Sequence, residues 1–309
     1  MKRTNVSWMI CLALLCVLVT IPLSAPVIAQ GDNPDPRTTI ILSDIDENPV
    51  KTINEFQPLA DYLAERLTEY DIEGGEVMVA PDMETMIGWL AAGQVDILFD
   101  SPYPAMMMVH EAGAVPVLRR WKDGVAEYHG VFFAMASSGL ESLEDLQGHI
   151  VAFDAPQSTS GYMLPKAHLL EMGLNPVEKT SVTSPVKADE IGYVFTASDD
   201  TATIQWVISG RVSAGVVDSE LFARIPEESR QQMVVLAETV DVPRHLMIVR
   251  PDMDPALLDA ITDILVTMHE DENAQEILDE LDTARFDFFP EGAEAALDEL
   301  QDMFDLVEQ

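Results

Sequence analysis

Cysteine is nearly absent from this chain of 309 residues, whose two cysteines are Cys11 and Cys16. Both lie in a short apolar stretch that follows Lys2 and Arg3, a pattern typical of a secretory signal peptide. We predict a leader at residues 1–29, whose removal would leave the exported protein with no disulfide, thiol nucleophile or thiolate metal site. Its fold would then depend on packing without covalent cross-links.

Basic residues are the second scarcity, with 17 Lys and Arg against 54 Asp and Glu and a formal net charge of −37. Such a surface repels nucleic acid and anionic membranes, so no nucleic-acid partner is predicted. From Pro255 the chain is predicted to be acidic and helical to its end, and residues 270–309 contain only Arg285 as a counter-charge. The carboxylates fit either a surface adapted to salt or an interaction face for a partner.

Motifs for catalysis and for metal binding are also missing. The six histidines are scattered without an H-E-x-x-H pair, and no G-x-x-x-x-G-K-[ST] phosphate loop or G-x-S-x-G elbow occurs. We therefore predict no metal site, no cofactor and no enzyme activity. Apolar residues make up 48% of the chain, which excludes general disorder.

Segments of strand character alternate with segments of helical periodicity along most of the chain. Residues 38–42, 76–80 and 95–99 are predicted strands, and residues 56–70 and 83–92 are predicted helices between them. A second series of the same kind follows further along. This alternation predicts an α/β fold with mostly parallel sheets flanked by helices.

The length without the leader is too great for one small domain and suits two lobes. We predict one discontinuous lobe from residues 30–133 and 246–309, and a second lobe from residues 134–245. Two hinge strands, near residues 131–134 and 246–249, would join them.

The segment Ser158-Thr159-Ser160-Gly161-Tyr162 follows a predicted strand and leads into a predicted helix. Unpaired N–H groups at a helix start, together with three hydroxyls, can surround an oxyanion without any lysine or arginine. Serine and threonine are also the residues that any helix prefers at its N-cap, so an ordinary cap is the alternative interpretation.

Six segments in this order resemble one family, the PhnD-like binding proteins for phosphonate, phosphite and phosphate, which serve ABC importers outside the cytoplasm. The segments are FQPLADYL at 56–63, GQVDI at 93–97, SPY at 101–103, EYHG at 127–130, SLEDLQG at 142–148 and STSGY at 158–162. The resemblance covers most of the predicted mature chain. It implies a two-lobed periplasmic-binding-protein fold with the ligand held between the lobes.

The resemblance also implies the ligand-binding residues. In such proteins the Ser-Thr-Ser hydroxyls and nearby backbone amides hold the oxyanion, and cleft tyrosines donate from the opposite lobe or the hinge. For each tyrosine, a core or rim position without ligand contact is the alternative. The predicted set consists of Ser101, Tyr103, Tyr128, Ser158, Thr159, Ser160, Gly161 and Asp200.

Asp200 departs from the family pattern, because it stands where related sequences often have histidine. An ionised carboxylate only accepts hydrogen bonds, so at the cleft it would favour a ligand with an amine, a hydroxyl or a protonated oxygen. Its alternative role is to cap the helix that begins at Thr201. Ser213 is a second departure, at a position where the family often has aspartate.

The predicted function is capture without chemistry. A monomeric periplasmic protein would bind a small phosphorus oxyanion, close about its hinge and present the closed form to an ABC permease. Two alternatives stay open from the sequence: a ligand-sensing protein that signals to a membrane sensor, and a secreted phosphate-ester hydrolase. The hydrolase lacks a recognisable nucleophile, base or metal cluster.

Overall fold

The computed structural model describes residues 37–196 and 200–309, and these include fourteen strands and ten α-helices. The predicted leader lies outside the described residues. The strands are β1 (Thr39–Ile45), β2 (Gly74–Ala80), β3 (Ile97–Asp100), β4 (Val115–Lys122), β5 (Glu127–Tyr128), β6 (Gly130–Met135), β7 (Ile150–Phe153), β8 (Pro176–Glu178), β9 (Ile191–Phe195), β10 (Ala214–Asp218), β11 (Met233–Glu238), β12 (Val242–Pro243), β13 (His245–Val249) and β14 (Thr283–Asp287). The helices are α1 (Pro49–Arg66), α2 (Met83–Ala91), α3 (Pro102–Ala112), α4 (Leu164–Glu171), α5 (Asp200–Ile208), α6 (Ser219–Arg224), α7 (Glu227–Arg230), α8 (Pro255–Thr267), α9 (Gln275–Glu280) and α10 (Ala293–Glu308).

Two six-stranded sheets organise the chain, and each is the centre of one lobe. The first has the order β14-β4-β13-β3-β1-β2 and the second has the order β11-β6-β10-β7-β9-β8. Strands β1, β2 and β3 pair in parallel in the first sheet, and β7, β8, β9 and β10 do so in the second. The remaining pairings are antiparallel, so both sheets are mixed. Helices flank them, and the predicted α/β fold class is confirmed.

The chain crosses between the sheets twice, at a short antiparallel pair formed by β5 and β12. Val242 lies opposite Tyr128, and Pro243 lies opposite Glu127. We call β5 and β12 the crossing pair. The hinge strands predicted at residues 131–134 and 246–249 lie instead within the sheets, because there β6 and β13 each pair with strands on both sides. The predicted lobe boundaries accordingly fall inside these two strands.

Strand β14 corrects the prediction that the chain is helical from Pro255 to its end. Thr283 and Phe286 are buried, and Phe286 lies opposite Arg120 of β4 at the edge of the first sheet. The acidic composition of this region hid the strand, because only one short apolar face is needed to extend an existing sheet. Strand β9, inside the second sheet, was also not predicted.

The last helix, α10, contacts both lobes. It packs against α3 of the first lobe and α4 of the second, in a cluster that includes Tyr103, Leu164 and Phe304. The ammonium group of Lys166 donates to the carbonyl oxygen of Val307 at 2.8 Å. Among the described residues, no helix has both the length and the apolar character needed to cross a membrane.

Gly130 should be required where the first crossing approaches the turn at Ser158–Ser160. A Cβ atom at Gly130 would lie 2.6 Å from the carbonyl oxygen of Ser160, whereas one at Gly88 of α2 would meet nothing within 4 Å. We expect Gly130→Ala to lower the free energy of unfolding by about 1–3 kcal/mol, the usual cost of overpacking. Gly88→Ala is the control and should be neutral or stabilising, since alanine is the better helix former. Urea unfolding measures both, and equal stability of the two variants would contradict the prediction.

Candidate functional site

A pocket of about 310 Å³ lies where the two lobes and the crossing pair meet. Ser101 comes from the end of β3 in the first lobe, Tyr128 from the crossing pair, and the Ser158 turn from the second lobe. Open α/β sheets place ligands beyond the carboxyl ends of their strands, and β3 and β7 both end here. The lining residues are Ser101, Tyr128, Asp154, Ala155, Gln157, Ser158, Thr159, Ser160, Asp218, Arg244 and His245.

The turn after β7 is both a helix cap and a wall of this pocket. The hydroxyl oxygen of Ser158 accepts the N–H of Gly161 at 3.0 Å, and the N–H of Met163 donates to the carbonyl oxygen of Ser158 at 3.0 Å. The second bond closes one turn of π-helix at Thr159–Met163, a form that occurs frequently at functional sites. Capping and pocket lining, the two interpretations of the sequence, are therefore compatible.

Gly161 makes this tight turn sterically possible. A Cβ atom at this position would lie 2.5 Å from the Cβ of Asp154 and 2.9 Å from the hydroxyl oxygen of Ser158. Gly161 itself is buried and does not line the pocket. Its contribution in this structure is to the shape of the turn.

Thr159 joins the two lobes through its side-chain hydroxyl. The oxygen accepts the backbone N–H of Tyr103 at 2.8 Å, and the hydroxyl donates to the side-chain oxygen of Ser101 at 3.0 Å. Thr159 is only 1% exposed. Its hydroxyl proton is thus directed at the first lobe, although its backbone N–H and that of Ser160 remain in the turn that lines the pocket.

Tyr128 and Ser160 lie next to each other in the wall of the pocket. The Tyr128 phenol lies beside the hydroxyls of Thr159 and Ser160, and burial raises its pKa. The phenol therefore stays protonated at neutral pH and can donate a hydrogen bond.

Tyr103 does not occupy the predicted cleft position. Its phenol donates to the carboxylate of Glu308 at the end of α10, and its ring packs against Tyr162 and Phe304. Only its backbone N–H points to the pocket wall, through Thr159. The core interpretation of this tyrosine is the one that the structure supports, because α10 covers the ring.

The two departures from the family pattern fall outside this pocket's described lining. Asp200 begins α5, but its side chain is outside the described part of the structure. Ser213 accepts or donates a hydrogen bond at 2.9 Å with Nδ1 of His149, at an exposed position. No metal-binding group of three or more His, Cys, Asp or Glu side chains occurs among the described residues.

The profile of a known protein family matches residues 45–289, most of the chain. That family is described as "ABC transporter, phosphonate, periplasmic substrate-binding protein". The chain belongs to this family. The resemblance seen in the sequence is thereby confirmed, and the prediction that the chain is not an enzyme agrees with a family of transport substrate-binding proteins.

Similar proteins support the family assignment at moderate identity. The phosphate-import protein PhnD of Mycolicibacterium smegmatis is 27% identical over 205 residues, which cover 63% of this chain and 61% of that protein's length. XAC2383 of Xanthomonas citri, solved with chloride and with ATP, is 26% identical with TM-scores of 0.81 and 0.80. The match covers 88% of this chain and 99% or 98% of that one. PhnD1 of Prochlorococcus marinus, solved with methylphosphonate, shares the fold at a TM-score of 0.61 and 14% identity, over 88% of this chain and 100% of that one.

Four charged or titratable residues that line this pocket were not predicted from the sequence: Asp154, Asp218, Arg244 and His245. Arg244 could have been suspected, because a rare cation stands directly beside a predicted hinge strand. Asp218 caps α6 by accepting the N–H of Leu221 at 2.9 Å. Burial and the nearby charges of Arg120 and Arg244 hold the pKa of His245 well below its usual range, so its imidazole is neutral.

The basic cluster at residues 119–122 is divided between structural and electrostatic roles. Arg119 forms ion pairs with Asp287 at 2.8 Å and with Glu127 at 2.7 Å, and Arg120 donates to Thr283 at 2.8 Å. Both are buried and committed to the first sheet. The charge of Lys122 acts toward the carboxyl ends of β1 and β3. There it partly offsets the increase that burial causes in the pKa of Asp44 and Asp100.

A larger groove of about 490 Å³ lies elsewhere on the protein and is less suited to an anion. It is lined by Asp123, Glu220, Asp279 and Asp282, with Arg224 as its cation. Carboxylates repel an anionic ligand at short range. The smaller pocket, with its hydroxyls and Arg244, is the better candidate site.

Two carboxyl groups near the carboxyl ends of β1 and β3 should make stability depend on pH. Burial, together with a smaller effect from the charge of Asp44, raises the pKa of Asp100 to about 7. Burial raises the pKa of Asp44 to about 6. Both values exceed that of about 4 in an unfolded chain. The folded protein therefore binds more protons than the unfolded chain, and this contribution to stability is lost as pH rises from about 4 to about 7.

Asp100→Asn removes one of these titrations. We expect its unfolding free energy to decline less than that of the wild type between pH 5 and pH 8, and to exceed the wild-type value at pH 8. Asp61→Asn, at an exposed position of α1, is the control and should follow the wild-type profile. Urea unfolding at a series of pH values tests this, and an Asp100→Asn curve parallel to that of the wild type would refute it.

Proposed function

We propose that this chain captures a small phosphorus oxyanion, a phosphonate, phosphite or phosphate, in the pocket between its lobes and delivers it to an ABC permease. The observation that carries the proposal is the turn at Ser158–Ser160, whose residues bring hydroxyls and backbone N–H groups to the wall of a pocket shared by both lobes. Hydrogen bonds from such aligned donors suit a tetrahedral anion. The periplasm is the proposed location, in keeping with the family, and a monomer is the proposed state.

The acidic surface does not oppose this proposal. Long-range repulsion is screened over about 8 Å at physiological ionic strength, whereas donors in a partly dry pocket act at contact distance. Asp154 and Asp218 are closer, since they line the pocket. Their acceptor oxygens favour a ligand that carries a protonated oxygen, a hydroxyl or an amine in addition to its anionic head.

Pocket size favours a small ligand over a nucleotide. ATP is bound by the relative XAC2383, and chloride by the same protein in another structure. The pocket of about 310 Å³ here is at the lower limit of the roughly 300–1,000 Å³ found for small-molecule sites. A phosphate-sized head with a short substituent suits this volume better than a nucleotide with its base and ribose.

Ser160→Ala tests whether the Ser160 hydroxyl binds the ligand. Wild-type protein should be stabilised by about 2.7 kcal/mol when a specific ligand is present at about 100 times its dissociation constant. A thermal-shift panel of phosphate, phosphite, methylphosphonate, 2-aminoethylphosphonate, sulfate and carboxylates identifies that ligand. Ser160→Ala should weaken its binding about 10- to 100-fold, because hydrogen bonds to charged groups contribute about 1.5–3 kcal/mol.

Ser181→Ala is the matched control, since Ser181 belongs to an exposed hydroxyl cluster with Thr183 and Ser184 in the same lobe. Its affinity should equal that of the wild type. Stabilisation of the wild type by an unrelated solute and by none of the phosphorus oxyanions would refute the proposed ligand class. Unchanged affinity in Ser160→Ala would refute the role of the hydroxyl.

Thr159→Val tests closure between the lobes. Valine keeps the shape of threonine but removes the hydrogen bonds to Ser101 and Tyr103, so the closed arrangement should lose stability. We expect a larger radius of gyration by small-angle X-ray scattering at saturating phosphate, and weaker phosphate binding. Thr203→Val is the control, because its hydroxyl, also buried, pairs with Thr196 at 2.9 Å within the second lobe.

The control should lose a comparable hydrogen bond without any change in the radius of gyration. If Thr159→Val and the wild type have the same radius and affinity for phosphate, the contact between Thr159 and the first lobe does not control closure.

A further inference from the structure

Arg244 occupies the turn between the crossing pair and β13, and its side chain lines the pocket beside the hydroxyl turn. Its side chain is only 14% exposed, which is unusual for an arginine. Among the described residues that line this pocket, it is the one lysine or arginine. The whole chain has just 17 lysines and arginines, so few cations are available to line a pocket.

Two contacts hold the guanidinium in place. Nη2 donates to the carboxylate of Asp123 at 2.9 Å, and Cζ lies 4.5 Å from the centre of the Tyr128 ring. The third feature is Nε, which is buried and has no hydrogen-bond partner among the described residues. Arginine cannot lose its proton at neutral pH, so this N–H remains a charged donor.

The other charged and titratable groups of the pocket do not supply a positive charge, although the neutral imidazole of His245 retains one N–H donor. Asp154 and Asp218 are acceptors when ionised, and His245 is neutral because burial and nearby cations lower its pKa. A ligand held by Ser160 and Tyr128 on one side would therefore meet a positive charge only at Arg244. A donor of this kind suits an anion with several oxygens on one centre, which can contact the hydroxyl turn and the guanidinium together.

We propose that Arg244 contacts the bound ligand directly, donating a guanidinium N–H to an anionic oxygen and supplying the positive charge of the site. This proposal rests on the proposed function for the location of the ligand, but it concerns the anionic charge rather than the phosphorus atom. Because Arg244 follows the crossing pair, the contact is made from the hinge side. The anion is thus held by the first lobe, the second lobe and the hinge together.

Arg66 provides a matched control for the structural contributions of Arg244. Its Cζ lies 3.5 Å from the centre of the Tyr62 ring, and its Nη2 donates to Asp271 at 2.8 Å. Its partners are thus of the same two kinds as those of Arg244, a tyrosine ring and an aspartate. It lies in α1, outside the pocket lining. Replacement of either arginine removes a contact with a tyrosine ring and an ion pair with an aspartate. Arg66 also lies 3.8 Å from the carboxylate of Glu65 and donates to the carbonyl oxygen of Tyr62 at 3.2 Å. Replacement of Arg244 alone removes a donor from the pocket.

The test compares Arg244→Gln, Arg244→Lys and Arg66→Gln with the wild type, using isothermal titration calorimetry with phosphate, phosphite, methylphosphonate, 2-aminoethylphosphonate, sulfate and acetate. Arg244→Gln should weaken the tightest anion about 10- to 100-fold, the range for one charge-assisted hydrogen bond. Arg244→Lys should recover part of that loss, because it keeps the charge but not the planar fork. Arg66→Gln should bind within about twofold of the wild type, with a similar decrease in the melting temperature of the protein without ligand.

The outcomes separate this inference from the proposed function. If Arg244→Gln binds a phosphorus oxyanion as tightly as the wild type does, the role of Arg244 is overturned and the proposed function stands. Binding of sulfate or acetate alone, lost in Arg244→Gln, would support Arg244 and overturn the phosphorus ligand class. If the wild type binds none of the six anions, both are overturned. Equal weakening in Arg244→Gln and Arg66→Gln would also overturn the role of Arg244, since general destabilisation would explain it.

Discussion

The backbone pairing of Tyr128 with Val242 is the contact on which the arrangement of the pocket depends. It holds the two passages of the chain between the lobes side by side, so that Tyr128 and Arg244 enter the pocket from the same side. Only two residues of each strand take part in this pairing. So short a pair can bend with few broken hydrogen bonds, while the six-stranded sheets on either side remain rigid. A short pair between two larger sheets is the arrangement expected of a hinge.

Thr159 and α10 oppose free opening at this hinge. The hydroxyl of Thr159 connects the turn at Ser158–Ser160 to Ser101 and Tyr103, while α10 packs on helices of both lobes. The side chains that form the pocket wall thus also hold the lobes together. A ligand that contacts Ser160, Ser101 and Arg244 would add to contacts that already favour the closed arrangement, and this is how differential binding shifts a two-state equilibrium.

Local pattern predicted the fold well where each element has its own periodicity. The predicted strands and helices of residues 76–99 agree closely with β2, α2 and β3. Helix α1 begins earlier than predicted, at Pro49, because Asn48 caps it and proline suits a first turn. Strand β14 was missed because its burial depends on the neighbouring strand β4, which sequence periodicity alone does not reveal. The hinge was predicted a few residues away from the crossing pair, since apolar runs do not distinguish strands within a sheet from those between sheets.

Sequence by itself determined the α/β class and the order strand, hydroxyl turn, helix at Ser158–Tyr162, because these follow from local periodicity and residue type. The family was indicated by the resemblance of six segments to its members. Tertiary structure decided which side chains reach the pocket. Tyr103 and Tyr128 are equally plausible donors in the sequence, yet α10 covers the Tyr103 ring and leaves Tyr128 beside the turn. Arg244 enters the pocket because the crossing pair brings it there, more than eighty residues from the turn that it faces. Contacts between residues so distant in the chain depend on how the sheets pack, and no local pattern encodes them.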